Sequence, residues 1–293
     1  MKSRTRLLLA AIGIAVSGFI VSSWLAADYL IGPMPSKVKW PAKLVYKPDV
    51  LEFSTVDGIK LKAWFLPQAN CTSAIVLLHG VRANRDSMLA RAEWLHSLGY
   101  NVFLYDARGC GESEEVVRTF GYHETRDLLG ALTWLKNRGM TEIACIGCSQ
   151  GAATILLASD RLPDSVRAVV AEAPYATLRN TTDAHFRAYT ALPSAYFGAL
   201  VVPIAEKQLG FQMDDVSPLK EIPKLKAPLF IIGGTSDSMA PPADIHRLYD
   251  AAVCDKSLWM IDWAAHADFF SYAENQYVER VGTFLKSHFS ISH

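Results

Sequence analysis

The chain has 293 residues, enough to bury a sizeable core in one large α/β domain or two small ones. With 51% hydrophobic and 20% charged residues, it does not have the composition of a disordered protein. The formal net charge is zero and no Lys/Arg cluster is interleaved with aromatics, so nucleic-acid binding has no support.

The N-terminus opens with "MKSRTR", carrying Lys2, Arg4 and Arg6. The run "LLLAAIGIAVSGFIVSSWLAA" follows, about 20 residues without a charge and long enough to cross a bilayer as a helix. Residues 1–28 therefore read as a membrane anchor, with a cleaved signal segment as the alternative. The apolar run is longer than most signal cores and only "WLAA" offers small residues near its end, which favours retention. Positive charge ahead of the span predicts a cytoplasmic N-terminus and a domain in the periplasm, outside the cell or in a lumen. Cleavage would instead give a secreted protein. Asn70-Cys71-Thr72 and Asn180-Thr181-Thr182 are glycosylation sequons if the chain enters an endoplasmic reticulum.

Residues 29–50, rich in Pro and Lys, read as a linker along the surface of a domain spanning 51–293. "LEFSTV" and "IKLKAWFL" flank Asp57-Gly58, a hairpin signal. "AIVLLHG" is an apolar run without alternation, as expected of a strand buried on both faces. Met88, Ala92 and Leu95 fall at helical spacing before Gly99, and "NVFLYD" is the next strand. Leu128, Leu132 and Leu135 mark another helix, "EIACIG" a strand, "AATILLAS" a helix and "RAVVAEA" a strand. "PLFIIGG" and "SLWMID" enclose a helix around Pro242, and "FFSYAENQYVERVGTFLKSHF" closes the chain as an amphipathic helix. Alternating strands and helices after an antiparallel start predict an α/β fold with a mostly parallel sheet. The stretch of about 175–221 is too long for an ordinary connection and reads as an inserted helical cap over the sheet's C-terminal edge.

The five cysteines, Cys71, Cys110, Cys145, Cys148 and Cys254, are odd in number and scattered, unlike a disulfide framework. Cys145 and Cys148 form a CxxC, but Cys145 falls inside the apolar strand, which favours buried small hydrophobes over a redox or zinc pair. "DARGCGESE" lacks the third glycine of a dinucleotide fingerprint, and no phosphate-binding loop is present. Neither a metal nor an organic cofactor is expected.

"GCSQG", Gly147 to Gly151, follows a strand and precedes a helix, the context of a nucleophile elbow. The bland alternative is a structural serine in a glycine turn. A serine hydroxyl needs a base within hydrogen-bond reach and an acid behind that base. Asp237 lies just past one later strand and His266 in the loop after the next, giving the chain order Ser, Asp, His. Glu172, at the end of the strand after the elbow helix, is the alternative acid or a support for the loop by hydrogen bonds. Asp262 and Asp268 flank His266 too closely in sequence to serve it without strain. His123, His185 and His246 read as surface residues. "LLHGVRANR" leaves a strand through His79-Gly80, which points to the amides of Val81 and Gln150 as oxyanion donors.

Together, "HGVRANR", "YDARGCGES", "GCSQG", "EAPY", "GGTSD" and "AAHADF" resemble the α/β-hydrolase superfamily from about Leu51 to the C-terminus. The set looks closest to the membrane-anchored Bem46/ABHD13-like branch, related to serine aminopeptidase-like and prolyl oligopeptidase-like hydrolases. The resemblance implies the α/β-hydrolase fold: a mostly parallel eight-stranded sheet with helices on both faces and an inserted helical cap. It implies Ser149 as nucleophile, Asp237 as acid, His266 as base, and Val81 and Gln150 as the oxyanion hole. The activity implied is that of a serine hydrolase on a small-molecule or lipid-like acyl ester. A peptidase of the same fold is the runner-up, and a non-catalytic anchored binding protein is the alternative from another class. Phe186, Tyr189, Tyr196, Phe197, Leu200 and Phe211 of the cap suit an acyl or aromatic ester, or form the cap's own core.

Overall fold

The computed structural model of the chain describes residues 2–38, 40–41, 44–189, 197–289 and 291. The side chains of Lys2, His185, Phe186, Tyr189 and Phe197, all of Tyr196, and linker positions 39, 42 and 43 lie outside that description. The chain opens with α1 (Lys2–Ile31), followed by β1 (Met34–Pro35), β2 (Asp49–Ser54), β3 (Lys60–Leu66) and β4 (Ser73–Leu78). Next come α2 (Leu89–Ser97), β5 (Asn101–Tyr105), β6 (Cys110–Gly111), α3 (Glu124–Asn137), β7 (Glu142–Cys148), α4 (Gln150–Leu157) and β8 (Val166–Glu172). The remaining elements are α5 (Leu178–Tyr189), α6 (Val202–Leu209), α7 (Pro218–Glu221), β9 (Leu229–Gly234), α8 (Pro242–Ala251), β10 (Lys256–Ile261), α9 (Phe269–Tyr272) and α10 (Glu274–His288).

Eight strands form one sheet in the order β10-β9-β8-β7-β4-β5-β3-β2, in which β3 pairs antiparallel with both β2 and β5 and every other pair is parallel. The unbroken apolar runs of β4, β5 and β9 are buried at every position, because helices cover both faces of a parallel sheet. This is the α/β-hydrolase fold with its mostly parallel sheet. The β2–β3 connection runs from Thr55 to Ile59 rather than turning tightly on Asp57-Gly58. Thr55 receives the Gly58 amide and donates its own to Ile59, and Gly58 takes φ +86°, where a side chain would be strained.

Between β8 and β9 the described residues are mostly helical, from α5 through α6 to α7. They pack on a second apolar cluster separate from the sheet core, containing Tyr175, Val201, Val202, Phe211 and Val216. Two positions of α1, Ala27 and Ile31, belong to this same cluster. The helix thus continues past residue 28 into the segment read as linker, and β1 in that segment pairs with β6.

Candidate active site

Parallel strands end on one edge, and the candidate residues Ser149, Asp237 and His266 collect there. At the end of β7 the backbone reverses into α4 through Ser149, whose φ of 53° and ψ of −113° are uncommon for a residue with a side chain. The glycines around it are required by space. A Cβ on Gly147 would stand 2.5 Å from the Ala152 nitrogen, and one on Gly151 would stand 2.3 Å from the Leu78 carbonyl oxygen. The turn is pinned by the Ser149 amide donating to the Glu172 carbonyl at 2.7 Å and by Ala153 donating to the Ser149 carbonyl at 2.9 Å.

Asp237 and His266 follow the ends of β9 and β10. Asp237 is fully buried, and its Oδ1 accepts the amides of Met239 and Ala240, each at 2.8 Å. Its Oδ2 lies 2.8 Å from His266 Nδ1, and His266 Nε2 lies 3.0 Å from Ser149 Oγ. An acceptor-only carboxylate at Nδ1 fixes the proton there and leaves Nε2 free to accept from the serine hydroxyl. Three residues separated by 29 and 117 positions are thereby joined in one hydrogen-bonded line.

The loop after β4 leans on the elbow: a Cβ on Gly80 would lie 3.4 Å from the Ser149 Cβ. Val81 follows, and its amide donates to no carbonyl among the described residues. Gln150 is the first residue of α4, where an amide has no acceptor inside the helix. His79 anchors this loop, with Nδ1 against the Gly80 carbonyl at 2.8 Å and Nε2 accepting the Ala107 amide at 3.0 Å. Burial pushes the imidazole down from its ordinary value, in keeping with an Nε2 that must stay unprotonated to accept.

A buried ionic group lies under the site. Arg91 of α2 donates Nε to Glu172 Oε1 at 2.9 Å and Nη2 to Glu172 Oε2, while Tyr277 donates to the same carboxylate at 2.6 Å. The Arg91 guanidinium also reaches Asp268 at 2.6 Å, two residues beyond His266. Burial opposes the Arg91 charge, but Glu172 outweighs it and holds the guanidinium well above its ordinary value. Partial burial likewise opposes the Asp268 charge, and Arg91 and Ser271 hold that carboxyl below its ordinary range. Glu172 thus binds the elbow through its backbone and the histidine loop through Arg91.

Of the other residues weighed from sequence, Asp268 faces Arg91, His246 is exposed and His123 is half-buried. Cys148 precedes the serine, and burial pushes its thiol up to about 12, so it carries almost no thiolate near neutrality. Arg91 and Tyr277 did not emerge from the sequence. The available signal was a charge at position 91 on the helix face shared by Met88, Ala92 and Leu95.

Similarity to known proteins agrees with this architecture. Residues 73–215 match a family described as "alpha/beta hydrolase fold". The Bacillus subtilis protein YqkD is 30% identical over 232 residues, covering 76% of this chain and 73% of YqkD. Escherichia coli K12 YfhR is 26% identical over 245 residues, covering 79% of this chain and 80% of YfhR. Among solved structures, the Pyrococcus furiosus esterase Pf2001 superposes with a TM-score of 0.75 at 26% identity, covering 89% of this chain and all of that one. The chain belongs to the α/β-hydrolase family.

Proposed function

We propose that the protein is a serine hydrolase that cleaves carboxylic esters through an acyl-enzyme on Ser149. The observation that carries this is the continuous line from Asp237 through His266 to Ser149 Oγ, at 2.8 and 3.0 Å, at the strained strand-to-helix turn. The similarity to an esterase of the same fold supports an ester as the bond attacked.

His266 Nε2 takes the Ser149 proton as Oγ bonds to the ester carbonyl carbon. The carbonyl oxygen becomes an oxyanion and is received by the amides of Val81 and Gln150, preset at no reorganisation cost. As the intermediate collapses, the carbon–alkoxide bond breaks and the alcohol leaves with the proton from His266. Water then attacks the acyl-serine, gives its proton to His266, and the carboxylic acid departs as Ser149 is reprotonated. Asp237 holds the imidazole in the working tautomer and stabilises its cation.

Stopped-flow hydrolysis of p-nitrophenyl butyrate tests the acyl-enzyme. A burst of nitrophenolate stoichiometric with wild type and absent from Ser149→Ala is expected. A burst that survives Ser149→Ala would sink the assignment.

A further inference from the structure

The N-terminal helix has two parts that behave differently. From Arg4 to Ser22 every residue is exposed, including Leu7, Leu8, Leu9 and Ile14 at 61% or more. Its uncharged part, from Leu7 to Ser22, is about 24 Å long at about 1.5 Å per residue, and the apolar run continues to Ala27, which brings it to about the thickness of a bilayer's hydrocarbon core. From Ser23 onward the same helix carries a buried stripe at Ser23, Ala27 and Ile31, one face at four-residue spacing. Helix and domain are therefore joined without a hinge.

The join is heavily made. Arg118, itself buried, donates Nε to the Gly32 carbonyl at 2.6 Å and Nη2 to the Leu30 carbonyl at 2.7 Å, satisfying acceptors that a helix end leaves open. Its backbone amide donates to the Ile31 carbonyl at 2.8 Å. Gln208 of α6 donates to Asp28, and Arg82 donates to the Tyr29 hydroxyl, both at 2.5 Å.

Each of these contacts lies on the edge that carries Ser149. Arg82 is the residue after Val81 in the loop leaving β4. Arg118 lies in the connection leaving the end of β5, and Ala27 and Ile31 share a cluster with Ala153, four residues after Ser149. Trp263, one residue inside the loop to His266, is 83% exposed on the same edge. Tryptophan is the side chain that settles at a membrane–water boundary.

We infer that α1 is a rigid strut that holds the Ser149 edge of the domain against a lipid bilayer, and that the ester substrate is an amphiphile drawn from the leaflet beneath it. The apolar run reaches Ala27, inside the docked stripe that starts at Ser23, so the bilayer surface falls within about one helical turn, roughly 5 Å, of the docked face. An ester at headgroup depth then reaches the site without crossing bulk water. The inference rests on the ester-hydrolase reading above.

The test separates the two. Full-length protein is reconstituted in phosphatidylcholine vesicles and assayed on 4-methylumbelliferyl butyrate in water and on 4-methylumbelliferyl palmitate dissolved in the vesicles. The variant inserts, after Ser22, five leucines that keep the span at about 20 apolar residues and then a 12-residue Gly/Ser segment, which preserves the docked stripe but frees the domain from the bilayer. The expected result is flotation of both proteins with the vesicles, butyrate turnover within twofold of each other, and palmitate turnover at least tenfold lower in the variant. Equal palmitate rates would overturn the inference, as would a wild type that stays off the vesicles as a soluble dimer paired through its exposed helices. Absence of butyrate turnover in wild type would instead overturn the esterase reading on which it stands.

Discussion

Gly151→Ala puts one methyl group where the structure has no room. The added carbon would lie 2.3 Å from the Leu78 carbonyl oxygen and 2.7 Å from that of His79, both backbone atoms that cannot rotate away. Relief requires α4 to withdraw from β4 by about 1 Å to reach an ordinary contact. Ser149 sits at the N-terminus of that helix, so its Oγ moves off the 3.0 Å hydrogen bond to His266. A misplacement of about 1 Å at a reacting group costs on the order of 10²-fold in rate. The overpacking itself costs about 1–3 kcal/mol, or a fall in Tm of roughly 2–10 °C for a domain of this size. Gly282→Ala is the control: its added carbon meets only Trp94 at 3.7 Å, and alanine in a helix interior is favoured over glycine by up to about 1 kcal/mol. The assay is kcat/KM on p-nitrophenyl butyrate beside thermal unfolding of both variants. Wild-type kcat/KM in Gly151→Ala would refute the reasoning that packing at this glycine sets the position of Ser149 and that this position governs the proposed reaction.

Arg91→Met leaves Glu172 buried with Tyr277 as its remaining side-chain partner, and should lose about 3–5 kcal/mol of stability in urea unfolding, with kcat lowered as Asp268 releases the histidine loop. Unchanged stability would show that the Arg91–Glu172 pair is not needed to hold Glu172 buried. Asp237→Asn should keep its fold by circular dichroism yet fall about 10⁴-fold in kcat, because an amide no longer selects the His266 tautomer; a drop under tenfold would remove Asp237 from the triad. Cys148→Ala should retain activity within a few-fold, and iodoacetamide at pH 7 should leave wild type active, since burial raises that thiol to about 12. Asp57 is partly buried, which opposes its charge, but hydrogen bonds from Arg108, Thr55 and Arg126 hold its carboxyl below the ordinary range. A depressed folded-state value adds stability above the unfolded value near 4 and loses it as pH falls below that point. The stability gap between wild type and Asp57→Asn should therefore narrow below about pH 4; a gap constant from pH 6 to 3 would contradict the assignment.

The elbow, the order Ser149, Asp237, His266 and the parallel sheet were legible because their causes are local. Buried strands read as unbroken apolar runs, a sharp turn demands small residues, and loops leaving parallel strands share one edge. The Arg91–Glu172–Tyr277 group was not legible, since its partners lie 81 and 105 positions apart and meet only through packing. The docked end of α1 was hidden for the same reason. Its stripe of Ser23, Ala27 and Ile31 lies within or just after an apolar run that reads as uniformly membrane-facing, and the arginine that caps it comes from 86 positions away. The hairpin was placed correctly, but Asp57 is recruited by Arg108 and Arg126, and the connection is wider than Asp57-Gly58 alone suggests.

The most direct test of the central claim is fluorophosphonate labelling of wild type and Ser149→Ala, read by intact mass. One adduct on wild type and none on the variant is the predicted result, marking Ser149 as an activated nucleophile. An adduct of equal yield on Ser149→Ala, or none on folded wild type, would contradict it.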